Sequence, residues 1–503
     1  MPEPRTWQLA AGSAVLGLAL AAGAVAAAGP WDNGQRKAER ARAVAAGTTG
    51  GAHHAAAPAA GPRRPAPAPS APGVLPALGV PAGPDAPGTP QTTRAGDDLA
   101  AVLVPLLGDP GLGPLRTASV VDATTGRQLY GEGATTPMTP ASTVKIATAT
   151  AALSALGPDH RIATTTLAGP DGRTVTLVGG GDPTLDRARL KTLADATARA
   201  LKARGATAPV RLTYDTSLYQ GPALHPIGPN ENLAPVSALM TREGRLDDSR
   251  SGPAPRAADP AADTAGTFAG LLADAGITVE GAPAPGKAPK TAANGKTATN
   301  GKAALGDKTA LLARTDSAPL ADLVERTLTH SDNDLAEALA RQTALARKQP
   351  ASFAGAGKAV HDELARLGLP LAGARFTDGS GLDRRDRVSA ALLTGILTRA
   401  ADPARPTLRP VLTGLPVGGF SGTLATRFDS TDAAPGAGLV RAKTGTLTGV
   451  NTLAGTVVTA DGRLLAFAFL AGRTSSPDTA QAALDRLSAA LAAGPAKRPT
   501  PRP

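Results

Sequence analysis

The sequence predicts an α+β protein in which one antiparallel sheet is built from both ends of the folded region, with helices on either side and a second, strand-bearing segment inserted between them. Three observations carry this. Strand-like runs at Thr117–Val121 and Arg127–Tyr130 flank the turn Thr124-Thr125-Gly126 near the start of the folded region. A second hairpin, Val450–Val458 and Leu464–Leu470 around Asp461-Gly462, lies near its end. Between them the pattern is helical, except for a stretch over 162–315 with its own short strands and a helix.

Residues Leu9 to Ala28 form an unbroken apolar and small-residue stretch after Arg5, with A-x-A patterns at Ala24-Val25-Ala26 and Ala26-Ala27-Ala28. Residues 1–30 therefore read as a signal peptide or N-terminal membrane anchor, and the protein as exported: extracytoplasmic, secreted or held at the wall or membrane. Residues 31–96 are rich in Ala, Pro and Gly and lack the apolar surface to offset the entropy of ordering, which predicts an extended linker. Folded sequence is expected from Asp97.

The catalytic part is expected over 97–161 and 316–493. It contains a helix from Pro140 to Leu156 stopped by Gly157-Pro158, amphipathic helices at Leu320–Thr329 and Asp334–Ala346, and a last helix from Pro477 to Leu491. The inserted segment, 162–315, carries strands at Thr164–Leu167, Thr174–Val178 and Val210–Tyr214 and a helix at Leu185–Arg204. A low-complexity loop over 284–308 lies within it, and 494–503 reads as a tail.

Composition excludes several chemistries. There is no cysteine, so thiol nucleophiles, metal–thiolate sites and disulfides are out. The six histidines show no ligand spacing, so neither a metal nor a cofactor is expected. Aromatic residues are 2% of the chain and both tryptophans lie before the folded region, so the core must be aliphatic. The net charge of +11 is spread without interleaved aromatic stacking platforms, which argues against nucleic acid as a partner. A polyanionic cell envelope suits such a charge through long-range attraction.

Three short segments can do chemistry. Ser142-Thr143-Val144-Lys145 opens the helix after Pro140. Residues i and i+3 share a helix face, so the amine can take the hydroxyl's proton. The apolar neighbours Ala141, Val144, Ile146 and Ala147 would desolvate Lys145 and favour its neutral, basic form. Ser331-Asp332-Asn333 sits between two helical runs. A hydroxyl there can relay a proton and a carboxamide can hold a peptide, although Ser or Asp at this place also serves as a helix cap. Lys443-Thr444-Gly445-Thr446 lies on a strand, where a lysine and hydroxyls can grip a carboxylate and Gly445 lets another chain approach. Each is weak alone. Each occurs once, and in this order.

In this conjunction the chain resembles the penicillin-binding and β-lactamase-like proteins. Gly180-Gly181-Asp182-Pro183-Thr184, Asp378-Gly379-Ser380-Gly381-Leu382 and Leu415-Pro416-Val417-Gly418-Gly419 narrow the likeness to the low-molecular-mass class C penicillin-binding proteins, the D-alanyl-D-alanine carboxypeptidase/endopeptidases of the S13 family. The resemblance implies a penicillin-binding fold and peptidoglycan peptides ending in D-Ala-D-Ala as substrates. It also implies β-lactams as covalent inhibitors. By the same likeness Ser142 is the nucleophile, Lys145 its base and Ser331 the proton relay. Asn333, Lys443, Thr444 and Thr446 bind substrate, and the backbone N–H groups of Ser142 and Thr446 form the oxyanion hole.

About 190 residues separate Ser142 from Ser331, far more than in a compact β-lactamase. No E-x-x-L-N-type segment falls between Ser331 and Lys443; Glu363-Leu364 is the nearest and a poor match. Without that carboxylate a penicilloyl ester should be long-lived, which favours a penicillin target over a penicillin destroyer. The family's Ser-Arg pair after Leu382 is replaced by Asp383-Arg384, so Ser380 is expected to be structural.

Overall fold

In the computed structural model the described residues are 91–289 and 310–493. The leader and almost all of the expected linker lie outside them, as do most of the low-complexity loop and the tail. Among the described residues no helix is long and apolar enough to cross a membrane.

Helix α1 (Gln91–Leu107) starts earlier than Asp97, and Leu99, Leu103 and Leu107 give it a buried stripe at four-residue spacing. Strands β1 (Leu115–Asp122) and β2 (Gln128–Glu132) form the first hairpin. A 3-10 turn (Ala141–Thr143) leads into α2 (Val144–Leu156). The inserted segment supplies β3 (Ala163–Ala168), β4 (Thr174–Val178), α3 (Arg187–Ala203), β5 (Arg211–Asp215), α4 (Pro260–Asp274), the two-residue β6 (Ala284–Pro285) and β7 (Ala310–Asp316). Then come α5 (Leu320–His330), α6 (Asn333–Ala346), α7 (Phe353–Arg366) and α8 (Ala390–Ala401). Strands β8 (Val440–Leu447), β9 (Val450–Val458) and β10 (Leu464–Gly472) and helix α9 (Pro477–Ala493) complete the fold.

The first sheet has the order β2-β1-β10-β9-β8 and is antiparallel throughout, with Leu115 opposite Gly472 and Asp122 opposite Leu465. The two ends of the folded region thus share one sheet, as the sequence implied. Strand β10 shows why. Leu465, Phe467 and Phe469 pack with α1 and α9, while Ala466, Ala468 and Leu470 join the core around α2 and α8. Period-2 alternation of large and small residues fills one face and lets helices close on the other.

Helix α2 is buried all round from Val144 to Leu153, so it is the axis of the helical layer. The second sheet, β6-β5-β4-β3-β7, is mixed: β4 with β5 and β5 with β6 run parallel, the rest antiparallel. Helix α3 makes the crossover between β4 and β5 that a parallel pair requires. Helix α4 was not legible. Asp259 caps it by accepting from Ala261 N (3.2 Å) and Ala262 N (3.0 Å), but its buried face mixes the small Ala261, Thr264 and Ala265 with Phe268, Leu271 and Leu272.

Candidate active site

Ser142 sits in the 3-10 turn that opens α2, partly exposed, one turn before Lys145, which is wholly buried. The preceding Ala141 holds a left-handed φ of 49°, an uncommon conformation for a residue with a side chain. The turn is held from behind by Thr452, whose hydroxyl donates to the Pro140 carbonyl (2.8 Å).

The Lys145 amine has three neighbours: Ser142 Oγ at 2.9 Å, Asn333 Oδ1 at 2.7 Å and the Ser380 carbonyl at 2.6 Å. Asn333 is oriented by its other end, since its Nδ2 donates to the Asn232 carbonyl (2.9 Å). Its Oδ1 therefore faces the amine and, like Ser380 O, can only accept. Burial lowers Lys145 from 10.5 to about 8, against the opposing charges of Asp378, Asp332, Glu337 and Asp386. When the amine is neutral, its two N–H bonds satisfy the two carbonyl acceptors. The lone pair is then left to the only neighbour able to donate, the Ser142 hydroxyl. The geometry aims that lone pair at Ser142.

Ser331 ends α5 in a left-handed conformation (φ 57°), and Asp332 caps α6 by accepting from Leu335 N (3.0 Å). Asp332 caps, and all three residues of the tripeptide line one cavity. That cavity measures about 210 Å³ and is lined by Ser142, Ser331, Asn333, Leu382 and Thr446, with Asn232, Arg245 and Arg256 from the inserted segment on its far wall.

Strand β8 forms the opposite wall. Lys443 and Thr444 do not line the cavity itself. Lys443 is wholly buried and donates to the Thr444 carbonyl (2.8 Å); burial and the nearby charge of Lys145 hold it well below the usual lysine range. Thr444 Oγ1 donates to Thr423 Oγ1 (2.9 Å). At Gly445 a side-chain carbon would meet Thr452 Oγ1 and lie 2.7 Å from the Pro140 carbonyl and 3.1 Å from Ala141 Cβ. The chain that this glycine admits is the turn Pro140–Ala141 just ahead of Ser142.

The loop Asp378–Asp383 contributes more than the sequence suggested. Ser380 acts through its backbone: its carbonyl holds Lys145, and its N–H donates to Glu337 (3.0 Å) and Asp378 (3.1 Å). Asp378 also accepts from Gly381 N (2.6 Å), Asp383 N (2.8 Å) and His225 Nε2 (2.9 Å). Burial alone would raise its pKa, but hydrogen bonds from His225, Asp386 and Gly381 N outweigh it and bring Asp378 to about 2. Gly381, at φ 84° and against the Ala141 carbonyl, was the one visible sign of this contact. Asp383 pairs with Arg385 (2.6 Å), and Arg384 donates to the Thr448 carbonyl (2.8 Å).

Glu363 is far from this chemistry. It is buried and held by Ser154 (2.7 Å), Arg347 (2.5 Å) and Arg366 (2.9 Å). Among the described residues two clusters, His225/Glu337/Asp378 and Glu243/Asp332/Asp334, have ligand atoms close enough to hold a metal ion. Their oxygens already accept from backbone N–H groups or face arginines. Glu337 receives Gly379 N (3.0 Å) and Arg341 (3.1 Å), and Asp334 receives Ala234 N (3.0 Å) beside Arg256 (2.9 Å).

A sequence model of the D-Ala-D-Ala carboxypeptidase 3 (S13) family matches residues 99–249 and 249–491. The carboxypeptidase DacB of Mycolicibacterium smegmatis is 36% identical over 462 residues, which span 87% of this chain and 91% of that protein. A D-alanyl-D-alanine carboxypeptidase of an Actinomadura species is 30% identical over 463 residues, 77% of this chain and 82% of its own. Among solved structures, penicillin-binding protein 4 (dacB) from Haemophilus influenzae superposes with a TM-score of 0.61 at 23% identity, over 79% of this chain and 98% of that one.

Proposed function

The chain belongs to the D-Ala-D-Ala carboxypeptidase 3 (S13) family, and from that premise we propose the following course of reaction. It is a serine-type D-Ala-D-Ala carboxypeptidase, with the related endopeptidase cleavage of cross-links open to the same site. Ser142 Oγ attacks the carbonyl carbon of the penultimate D-alanine while the Lys145 lone pair takes its proton. The backbone N–H groups of Ser142 and Thr446 receive the oxyanion. As the C–N bond breaks, the proton passes through Ser331 to the departing D-alanine amine, leaving an ester on Ser142. Water then attacks that ester and releases the shortened peptide.

Asn333 holds the peptide amide. Lys443, Thr444 and Thr446 receive the terminal carboxylate, and an arriving anion would draw Lys443 back to its ammonium form. Penicillin presents a carboxylate and a strained amide in the same relation and acylates Ser142. The observation that carries this reading is the direction of the Lys145 lone pair. Since Glu363 is engaged elsewhere and buried, it offers no base for a deacylating water, which supports a penicillin target rather than a β-lactamase. Action outside the cytoplasm, at the cell wall, follows from the leader-like segment Leu9–Ala28 and from the substrate.

The test is labelling with a fluorescent penicillin at one per chain, with the label mapped to Ser142, together with release of D-alanine from a D-Ala-D-Ala peptide. Unaltered labelling of Ser142→Ala would overturn the assignment, and rapid turnover of a chromogenic cephalosporin would make the protein a β-lactamase instead.

A further inference from the structure

Two of the three groups around the Lys145 amine are held from the inserted segment. On one side Asn333 Oδ1 faces the amine because Asn333 Nδ2 is tied to the Asn232 carbonyl. That tie is reinforced next door. Asp334 accepts from Ala234 N (3.0 Å) and faces Arg256 (2.9 Å), so the first turn of α6 is clamped to residues 232–256. On the other side the Ser380 carbonyl faces the amine from a loop gathered on Asp378, and Asp378 receives His225, again from the inserted segment.

His225 is built for this contact. It is 3% exposed, with its ring edge-on to Phe353 at 5.2 Å. The Ile227 N–H donates to its Nδ1 (3.2 Å), so Nδ1 carries the lone pair and the proton sits on Nε2, pointing at Asp378 Oδ2 (2.9 Å). One carboxylate thereby gathers Ser380 N, Gly381 N, Asp383 N and the histidine N–H. The carbonyl that steers Lys145 belongs to the middle of that set.

We propose that the inserted segment is a positioning element for the base: His225, through Asp378 and the Ser380 carbonyl, and the Asn232 carbonyl, through Asn333, fix the two hydrogen bonds that leave the Lys145 lone pair facing Ser142. The segment then governs the chemical step as well as whatever substrate it touches. This inference rests on Ser142 and Lys145 being nucleophile and base. It differs from a purely structural role in a measurable way. A tilted Lys145 slows acylation in molecules that are still folded, whereas a destabilised protein has fewer competent molecules reacting at the normal rate.

The experiment compares His225→Phe, which keeps the packing against Phe353 and removes the donor, with His225→Gln, whose Nε2 can reach Asp378. His225→Asn, whose shorter amide stops short of Asp378, stands in should His225→Phe not fold. Fluorescent penicillin is titrated to completion to count competent sites, and the second-order acylation constant is measured on those sites. For His225→Phe we expect acylation to fall about tenfold or more with one penicillin still bound per chain, since small misplacements of reacting groups cost rate steeply. D-Alanine release should lose kcat with KM nearly unchanged, and His225→Gln should recover most of both. Wild-type acylation in His225→Phe, equal losses in Phe and Gln, fewer sites reacting at the normal rate, or a change in KM alone would each overturn the proposal. Wild-type protein that fails to label, or Ser142→Ala that still labels, would instead bring down the function on which it rests.

Discussion

Gly445→Ala is the sharpest test of how the nucleophile turn is held. The added methyl would meet Thr452 Oγ1 and the Pro140 carbonyl at 2.7 Å, where ordinary contact begins at 3.4 Å. The threonine cannot simply swing away, because its hydroxyl is buried and donates to that same carbonyl. The carbonyl is backbone, one residue from Ala141 and two from Ser142, and Ala141 is already in an unfavourable φ. The turn must therefore move by about 0.7 Å, and an atom misplaced on the scale of 1 Å costs about a hundredfold in rate. Overpacking of this kind destabilises by about 1–3 kcal/mol, which leaves a domain of this size largely folded. The assay is the second-order rate of penicillin acylation, normalised to sites titrated at long times, beside a thermal unfolding scan. An acylation rate within threefold of wild type would show that the turn does not depend on this approach, and the account of Gly445 would fail.

Acylation by penicillin should rise about tenfold per pH unit up to about pH 8 and then level off, because only neutral Lys145 can accept the proton and about a tenth of it is neutral at pH 7. A rate flat from pH 6 to 9 would contradict that. Glu363→Gln should leave the lifetime of the penicilloyl ester unchanged, since its partners are Ser154, Arg347 and Arg366; faster or slower hydrolysis, followed by loss of label, would place this carboxylate in the reaction. Asp485→Ala should lower stability by about 3 kcal/mol, because it strands Arg427, which reaches Asp485 with two hydrogen bonds (2.9 and 2.5 Å) where both side chains are nearly buried. The double variant with Arg427→Ala should lose less than that in a denaturant titration, and an equal or larger loss would refute the pairing.

What could be read in advance follows from where the information resides. The hairpin around Asp461-Gly462 was legible because β10 alternates large and small residues between two buried faces, and both sets are visible in sequence. Helix α7 was not. Its buried positions include Gly355 and Gly357, which read as helix breakers, yet they let the helix approach the carbonyls of Pro350 and Phe376. Helix α8 is mostly Ala, Leu and Thr and is buried against the sheet, so no polar face marks its period. The parallel pairing of β4, β5 and β6 in the inserted sheet depends on contacts far apart in the chain, which local pattern does not report.

The site divides along the same line. Ser142, Lys145, Ser331, Asn333, Lys443, Thr444 and Thr446 could be named as candidates from the sequence because the proposed chemistry requires particular side chains at short, fixed separations. The groups that orient the Lys145 amine are of another kind. Asn232 and Ser380 act through backbone carbonyls, which every residue possesses, and no sequence signature can mark them. Glu337 and Asp378 act by collecting backbone N–H groups, a role that reads as ordinary helix or turn chemistry. A Ser-x-x-Lys pair on an isolated helix would leave its lysine free to face water. Here burial removes the water, the two carbonyls take the amine's hydrogens, and the lone pair has one direction left. The side chains supply the reactivity, but the fold chooses which atom receives it, and on the proposal above both hydrogen bonds that make the choice are held from a segment that carries none of the three motifs.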